Sequence, residues 1–180
     1  MKEEMSSLIL RKWTRQLFLP LFIRSKLTPN QITTLNFFFT SLPSAYFLWT
    51  GYNLLCLLFI CINIPIDFID GELAKKTNQI SKLGLWLDTS LDWLWQLLLL
   101  CIIILKDPSP VGMLALGMVV YCNYISATSK LQLDDFPFVM KYYLFFGILL
   151  KLYQPMLALI ALSYTVKFFI TGYFAIKERL

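Results

Sequence analysis

The sequence predicts an all-α, polytopic membrane protein: six transmembrane helices preceded by an amphipathic interfacial helix. Three observations predict it. Of the 180 residues, 58% are hydrophobic and only 15% charged, with a mean hydropathy of +0.65, outside the range of ordinary soluble domains. Six apolar stretches approach the roughly 20 residues that cross a bilayer as a helix. The cationic residues also distribute unevenly between alternate loops, as the positive-inside rule requires of a membrane protein.

The elements follow in chain order. Residues 7–25, SLILRKWTRQLFLPLFIRS, interleave Leu, Ile, Trp and Phe with Arg and Lys, the pattern of a helix lying in the membrane surface. Arg11, Lys12 and Arg15 break its apolar run, and no small-residue cleavage site follows, so it does not read as a signal peptide. Thr28 and Pro29 read as the cap and first turn of the next helix. The expected spans are Asn30 to Thr50, Tyr52 to Ala74, Gly84 to Leu105, Val111 to Ser129, Tyr142 to Leu152 with its neighbours, and Pro155 to Ala175. Lys141 and Lys151 crowd the fifth. Pro43 and Pro65 each remove a backbone donor inside a span and should bend it. Without repeats or low-complexity tracts, residues 1–180 read as one membrane-embedded domain. Residues 1–26 form a cytoplasmic interfacial segment and 27–180 the six-helix bundle; the longest loop runs from Lys130 to Lys141.

With both termini cytoplasmic, the inner side holds Lys2, Arg11, Lys12, Arg15, Arg24, Lys26, Lys75, Lys76, Lys82, Lys130, Lys141, Lys177 and Arg179. The outer side holds Lys106 and Lys151, and Lys167 falls within a span. Topology therefore explains the net charge of +5 without nucleic acid; anionic lipids and phosphorylated substrates are the natural partners. Cys56, Cys61, Cys101 and Cys122 lack metal-site spacing and read as reduced, buried small hydrophobes. There is no histidine, so any chemistry must run on carboxylates, hydroxyls and lysines.

Four aspartates lie within apolar spans, where a carboxylate is costly enough to imply function. Asp67, Asp70, Gly71 and Ala74 stand at i, i+3, i+4 and i+7, one face of a helix; Gly84, Asp88 and Asp92 stand at i, i+4 and i+8, one face of the next. If the two helices are antiparallel neighbours, all four carboxylates come to one level, open to the cytoplasm. Four like charges require protons or cations, and hard divalent ions with oxygen ligands fit. The absent bulk at Gly71, Ala74 and Gly84 lets a ligand approach the helix backbones.

The run Asp67-x2-Asp70-Gly71-x2-Ala74-Lys75-x8-Gly84-x3-Asp88-x3-Asp92 resembles the signature of the CDP-alcohol phosphotransferase (CDP-alcohol phosphatidyltransferase) family, D-x2-D-G-x2-A-R-x8-G-x3-D-x3-D, at every spacing. The motif covers 26 residues, and the basic amphipathic start, Thr28-Pro29-Asn30 with Thr33, and six spans extend the likeness along the chain. One position departs: Lys75 replaces the family's arginine, keeping the charge but losing the planar fork suited to phosphate.

The resemblance implies a metal-dependent enzyme of phospholipid biosynthesis. It would move a substituted phosphate from a CDP-linked donor, such as CDP-diacylglycerol, to an acceptor hydroxyl with release of CMP. It further implies that Asp67, Asp70 and Asp88 hold Mg2+ or Mn2+ with the diphosphate, and that Asp92 completes the site and acts as general base. Gly71, Ala74, Lys75 and Gly84 would line the CDP site, with Asn30, Thr33 and Ser81 as further candidates. Lys130 and Lys141 are candidates for a phosphate on the acceptor. A homodimer is implied by the family alone. A magnesium-dependent prenyltransferase-like enzyme and a cation transporter using the intramembrane carboxylates are the alternatives.

Overall fold

Thr28 starts the first long helix by a reciprocal cap. Its side chain accepts from the Gln31 N–H at 3.4 Å while the Gln31 side chain accepts from the Thr28 N–H at 2.9 Å, and Pro29 occupies the first turn, where its missing donor costs nothing. The computed structural model describes residues 16, 18–128 and 136–177, with side chains described at all of these but 123, 125–128, 136–139 and 170–177. Among the described residues the regular structure is helical, without strands: α1 (Leu19–Arg24), α2 (Pro29–Asn36), a π-helical turn (Phe37–Ser41), α3 (Leu42–Thr50), α4 (Asn53–Lys76), α5 (Lys82–Lys106), α6 (Pro110–Thr128), α7 (Phe136–Leu150) and α8 (Tyr153–Lys177). Of the expected surface helix, only α1 and its flank fall among the described residues.

The two prolines act differently. Pro43 follows the π-helical turn, in which the Leu42 N–H reaches back to the Phe37 carbonyl, so the ladder widens by one residue just before the proline that cannot continue it. The segment from Pro29 to Thr50 thus changes hydrogen-bond pattern instead of stopping. At Pro65, α4 continues unbroken from Asn53 to Lys76. A second difference from expectation lies at α7, which begins at Phe136, so Lys141 sits inside a helix and not at its mouth. Among the described residues two helices, α4 and α5, are long and apolar enough to cross a membrane; Pro110–Cys122 and Met140–Leu150 are shorter apolar stretches.

The chain divides into two compact units, with the boundary inside α5 between Trp95 and Gln96. In the first unit, α4 packs against α1, α2, the π-helical turn and α3. Leu19, Ile32, Ile69 and Leu73 form a buried cluster, flanked by Phe22, Leu27 and Ile66, which ties α1 and α2 to the end of α4 that carries Asp70. Phe47 of α3 stacks on Phe59 of α4 at 5.5 Å. The first turns of α5 join this unit through Trp95, whose indole N–H donates to Ser44 Oγ at 2.8 Å. In the second unit, α8 packs against α6 and α7. The Met156 side chain lies where a Cβ on Gly147 would stand, so only glycine permits that approach of α7 and α8.

Polarity runs from inside to outside in the sense a bilayer favours. Asn36, Thr40, Ser41, Ser44, Asn63, Asp70, Gln96, Lys141 and Lys167 are buried, whereas Phe38, Phe39, Tyr46, Trp49, Leu54, Leu58, Trp86 and Leu162 are exposed. In water this would be costly in both directions; against lipid, apolar outer faces are neutral and polar groups are best kept within. Cys61 corrects one expectation, because it too is exposed, unlike the buried Cys56 and Cys122.

Candidate active site

The helical spacing of Asp67, Asp70, Gly71 and Ala74 puts them along one side of α4, and that side faces α2 and the start of α5. Nine residues singled out from the sequence line one cleft of about 160 Å³: Asn30 and Thr33 of α2; Asp70, Gly71, Ala74 and Lys75 of α4; and Ser81, Gly84 and Asp88 at the start of α5. The floor is polar and fixed. Asp70, only 4% exposed, accepts a 2.6 Å hydrogen bond from the Thr33 hydroxyl through Oδ2, which sets the carboxylate's orientation. Thr33 itself is held over the first turn of α2, its Oγ1 3.1 Å from the Pro29 carbonyl. The rim is open. Lys75 is exposed and lies 3.5 Å from Glu72 on its own helix, an arrangement worth little at a solvated surface and easily given up to a phosphate.

The small residues serve two different purposes. A Cβ at Gly71 would meet nothing within 4 Å, so this position leaves open space in the cleft. At Gly84 the space is already taken, because a Cβ there would lie 2.5 Å from Asn30 Oδ1 and 3.0 Å from Ser81 Oγ. Gly84 therefore admits the Asn30 and Ser81 side chains beside its own backbone at the cleft wall. Ser81 also accepts from the Gly84 N–H at 3.0 Å, closing the first turn of α5 beside the cleft.

Asp67 and Asp92 line a second, smaller chamber of about 10 Å³ together with Asp88, Thr33, Ser41 and Asn63. Thr33 and Asp88 border both spaces. Asp88 and Asp67 are close enough to act electrostatically on Asp70. No three acidic, cysteine or histidine side chains among the described residues converge as a ready-made cation cage. The donor set nevertheless fits a hard divalent ion. It consists of carboxylate, amide and hydroxyl oxygens, and magnesium characteristically takes one or two carboxylates and completes its shell with substrate phosphate oxygens.

Sequence reasoning missed Gln79, Ile80 and Leu85, which also line the cleft, and Asn36, Ser41 and Asn63, which line the chamber. Gln79 and Ile80 stand within the eight residues that separate Lys75 from Gly84, and Asn63 lies one turn before Asp67 on the same face of α4. Both signals were present as spacing. Of the acceptor candidates, Lys130 lies outside the described residues; Lys141 is 4% exposed in the second unit. The same unit buries Lys167 at 2% exposure, its Nζ 5.7 Å from the centre of the Tyr164 ring.

The family model described as CDP-alcohol phosphatidyltransferase matches residues 26–170. An archaetidylinositol phosphate synthase from Pyrococcus horikoshii is 35% identical over 66 residues, which are 37% of this chain and 35% of that protein. The match thus spans about a third of the relative's length.

Proposed function

Because the chain belongs to the CDP-alcohol phosphatidyltransferase family, we propose that it transfers a substituted phosphate from a CDP-linked lipid to the hydroxyl of an acceptor alcohol, releasing CMP. The observation that carries this reading is the gathering of nine motif and motif-adjacent residues around one cleft with a buried carboxylate at its floor. The donor is CDP-diacylglycerol or a lipid equivalent. The relative's name favours an inositol phosphate as acceptor, and Lys130 and Lys141 remain the candidates for its phosphate.

Asp67, Asp70, Asp88 and Asp92 are the residues that would hold Mg2+ or Mn2+. Such an ion supplies neutralisation of the diphosphate and of the departing CMP. Thr33 fixes Asp70 so that the carboxylate need not reorganise when the donor arrives. Gly71 and Ala74 leave the wall of α4 low enough for the nucleotide to lie against it, while Asn30 and Ser81 offer polar atoms on the facing side. Lys75 at the rim meets the diphosphate. Asp92 takes the proton of the acceptor hydroxyl as its oxygen bonds to the phosphorus bearing the lipid, and the phosphoanhydride bond to CMP breaks. The apolar outer faces support a membrane-embedded bundle, read here as six spans; the distribution of cationic residues puts the cleft and both termini on the cytoplasmic side, and the family implies a homodimer.

Purified protein in detergent, supplied with CDP-diacylglycerol, Mg2+ or Mn2+ and a panel that includes inositol phosphate and glycerol phosphate, tests the proposal by CMP release. Chelation should stop release and added metal restore it. Absence of CMP with every acceptor, or ion flux in vesicles without CMP, would overturn the transferase reading.

Lys75 gives a sharper test of the cleft. Lys75→Ala should raise KM for the CDP substrate about tenfold, the loss of one or two charge-assisted hydrogen bonds, whereas Lys75→Arg should equal or surpass the parent because its fork donates in pairs. Identical kinetics in all three proteins would make Lys75 a topology charge only.

A further inference from the structure

Beneath the aspartates, α2, the π-helical turn and α4 share a buried polar network whose donors and acceptors can be accounted for almost completely. Asn63 is 2% exposed. Its side-chain amide nitrogen lies 2.9 Å from Thr40 Oγ1 and 3.0 Å from Ser41 Oγ. Thr40 has a single proton, which it directs to Asn36, with O and Oδ1 both at 2.7 Å. Thr40 must therefore accept from Asn63, and this fixes which end of the Asn63 amide is nitrogen. Asn36 in turn donates from Nδ2 to the Asn63 backbone carbonyl at 3.4 Å. The Asn63 side-chain oxygen, Oδ1, remains buried with no hydrogen-bond donor. A buried acceptor in that state costs free energy that a ligand can return.

Asn63 borders the 10 Å³ chamber that Asp67, Asp88 and Asp92 also line. That volume holds about one water-sized atom. Three carboxylates and a neutral carbonyl around so small a space present mainly acceptors, a lining that suits a hard cation and repels an anion. We infer that Asn63 is a further ligand of the metal site, contributing its side-chain carbonyl, directly or through one water, to a divalent cation gathered chiefly by Asp67 and Asp88. This rests on the metal-dependent reading above and adds to it a neutral ligand on α4. The π-helical turn has a part in it, because it carries Thr40 and Ser41, the two hydroxyls that turn the amide nitrogen away and leave the carbonyl available.

The test is direct Mn2+ binding, followed by electron paramagnetic resonance on the full-length protein in detergent without substrate, beside metal-dependent CMP release. Asn63→Leu should bind Mn2+ about 10- to 100-fold more weakly, the range for losing a supporting ligand, and should need correspondingly more metal for half-maximal CMP release. Ile60→Val, a buried change one turn earlier on α4 at a residue that lines neither cleft nor chamber, should bind Mn2+ within about threefold of the parent. Asn63→Asp keeps an oxygen and adds charge, so it should bind at least as tightly even if Asn63→Leu fails to fold. The inference is overturned by parental Mn2+ affinity in folded Asn63→Leu, by equal weakening in Ile60→Val, by weaker binding in Asn63→Asp, or by a parent that releases CMP yet binds no Mn2+. A parent that releases no CMP under any metal instead sinks the transferase reading itself.

Discussion

Asp70→Asn and Asp88→Asn should each lower CMP release by at least about 100- to 1,000-fold, the scale on which single preorganised charge contacts contribute to catalysis. Both proteins should remain folded in detergent. At Asp70 the new amide carbonyl can still accept from Thr33 at the position where Oδ2 now lies 2.6 Å from the hydroxyl, so the packing of α2 on α4 survives while a ligand charge is lost. Asp88 borders both the cleft and the chamber, and its substitution removes charge from both at once. Turnover within a few fold of the parent in either variant, with the elution profile of a folded protein, would remove the metal assignment. The same measurement with excess Mn2+ adds resolution, since a weakened site is partly refilled by mass action whereas a missing base is not.

Asp92→Asn should separate proton transfer from binding. Asp92 stands one turn beyond Asp88 on α5 and lines the chamber but not the cleft, so it lies away from the residues proposed to receive the nucleotide. An amide keeps the side chain's shape and cannot take a proton. Turnover should therefore fall about 100- to 10,000-fold while KM for the CDP substrate changes little, in contrast to Asp88→Asn, which should damage both. Equal loss of nucleotide affinity in the two variants would make Asp92 chiefly a metal ligand and send the search for the base elsewhere.

Much of this was legible because it is local. The helix that begins at Thr28 follows from a cap, a proline and a glutamine within four positions, and the stripe of Asp67, Asp70, Gly71 and Ala74 follows from the helical repeat alone. The expected span limits at Asn30 to Thr50 and Gly84 to Leu105 lie within a few residues of Pro29–Thr50 and Lys82–Lys106 for the same reason: a long apolar run bounded by polar residues leaves the backbone little choice in a bilayer. The eight-residue interval between Lys75 and Gly84 is long enough to reverse the chain and bring the second carboxylate stripe back beside the first.

By itself, then, the sequence determined an all-helical chain, the two carboxylate stripes and the family to which their spacing belongs, since each depends on periods of three or four residues. Only the tertiary structure decided who meets whom across helices. That Thr33 orients Asp70, 37 positions away, that Asn30 fills the space above Gly84, and that Asn63 is turned by Thr40 and Ser41 are contacts between segments whose separation carries no period. The same holds for Lys141 and Lys167, which charge counting assigns to a loop and a span but which packing buries. A repeat fixes the face on which a side chain stands; the neighbour it finds there depends on the angle and depth at which two helices pack, and those are set by the sum of all their contacts.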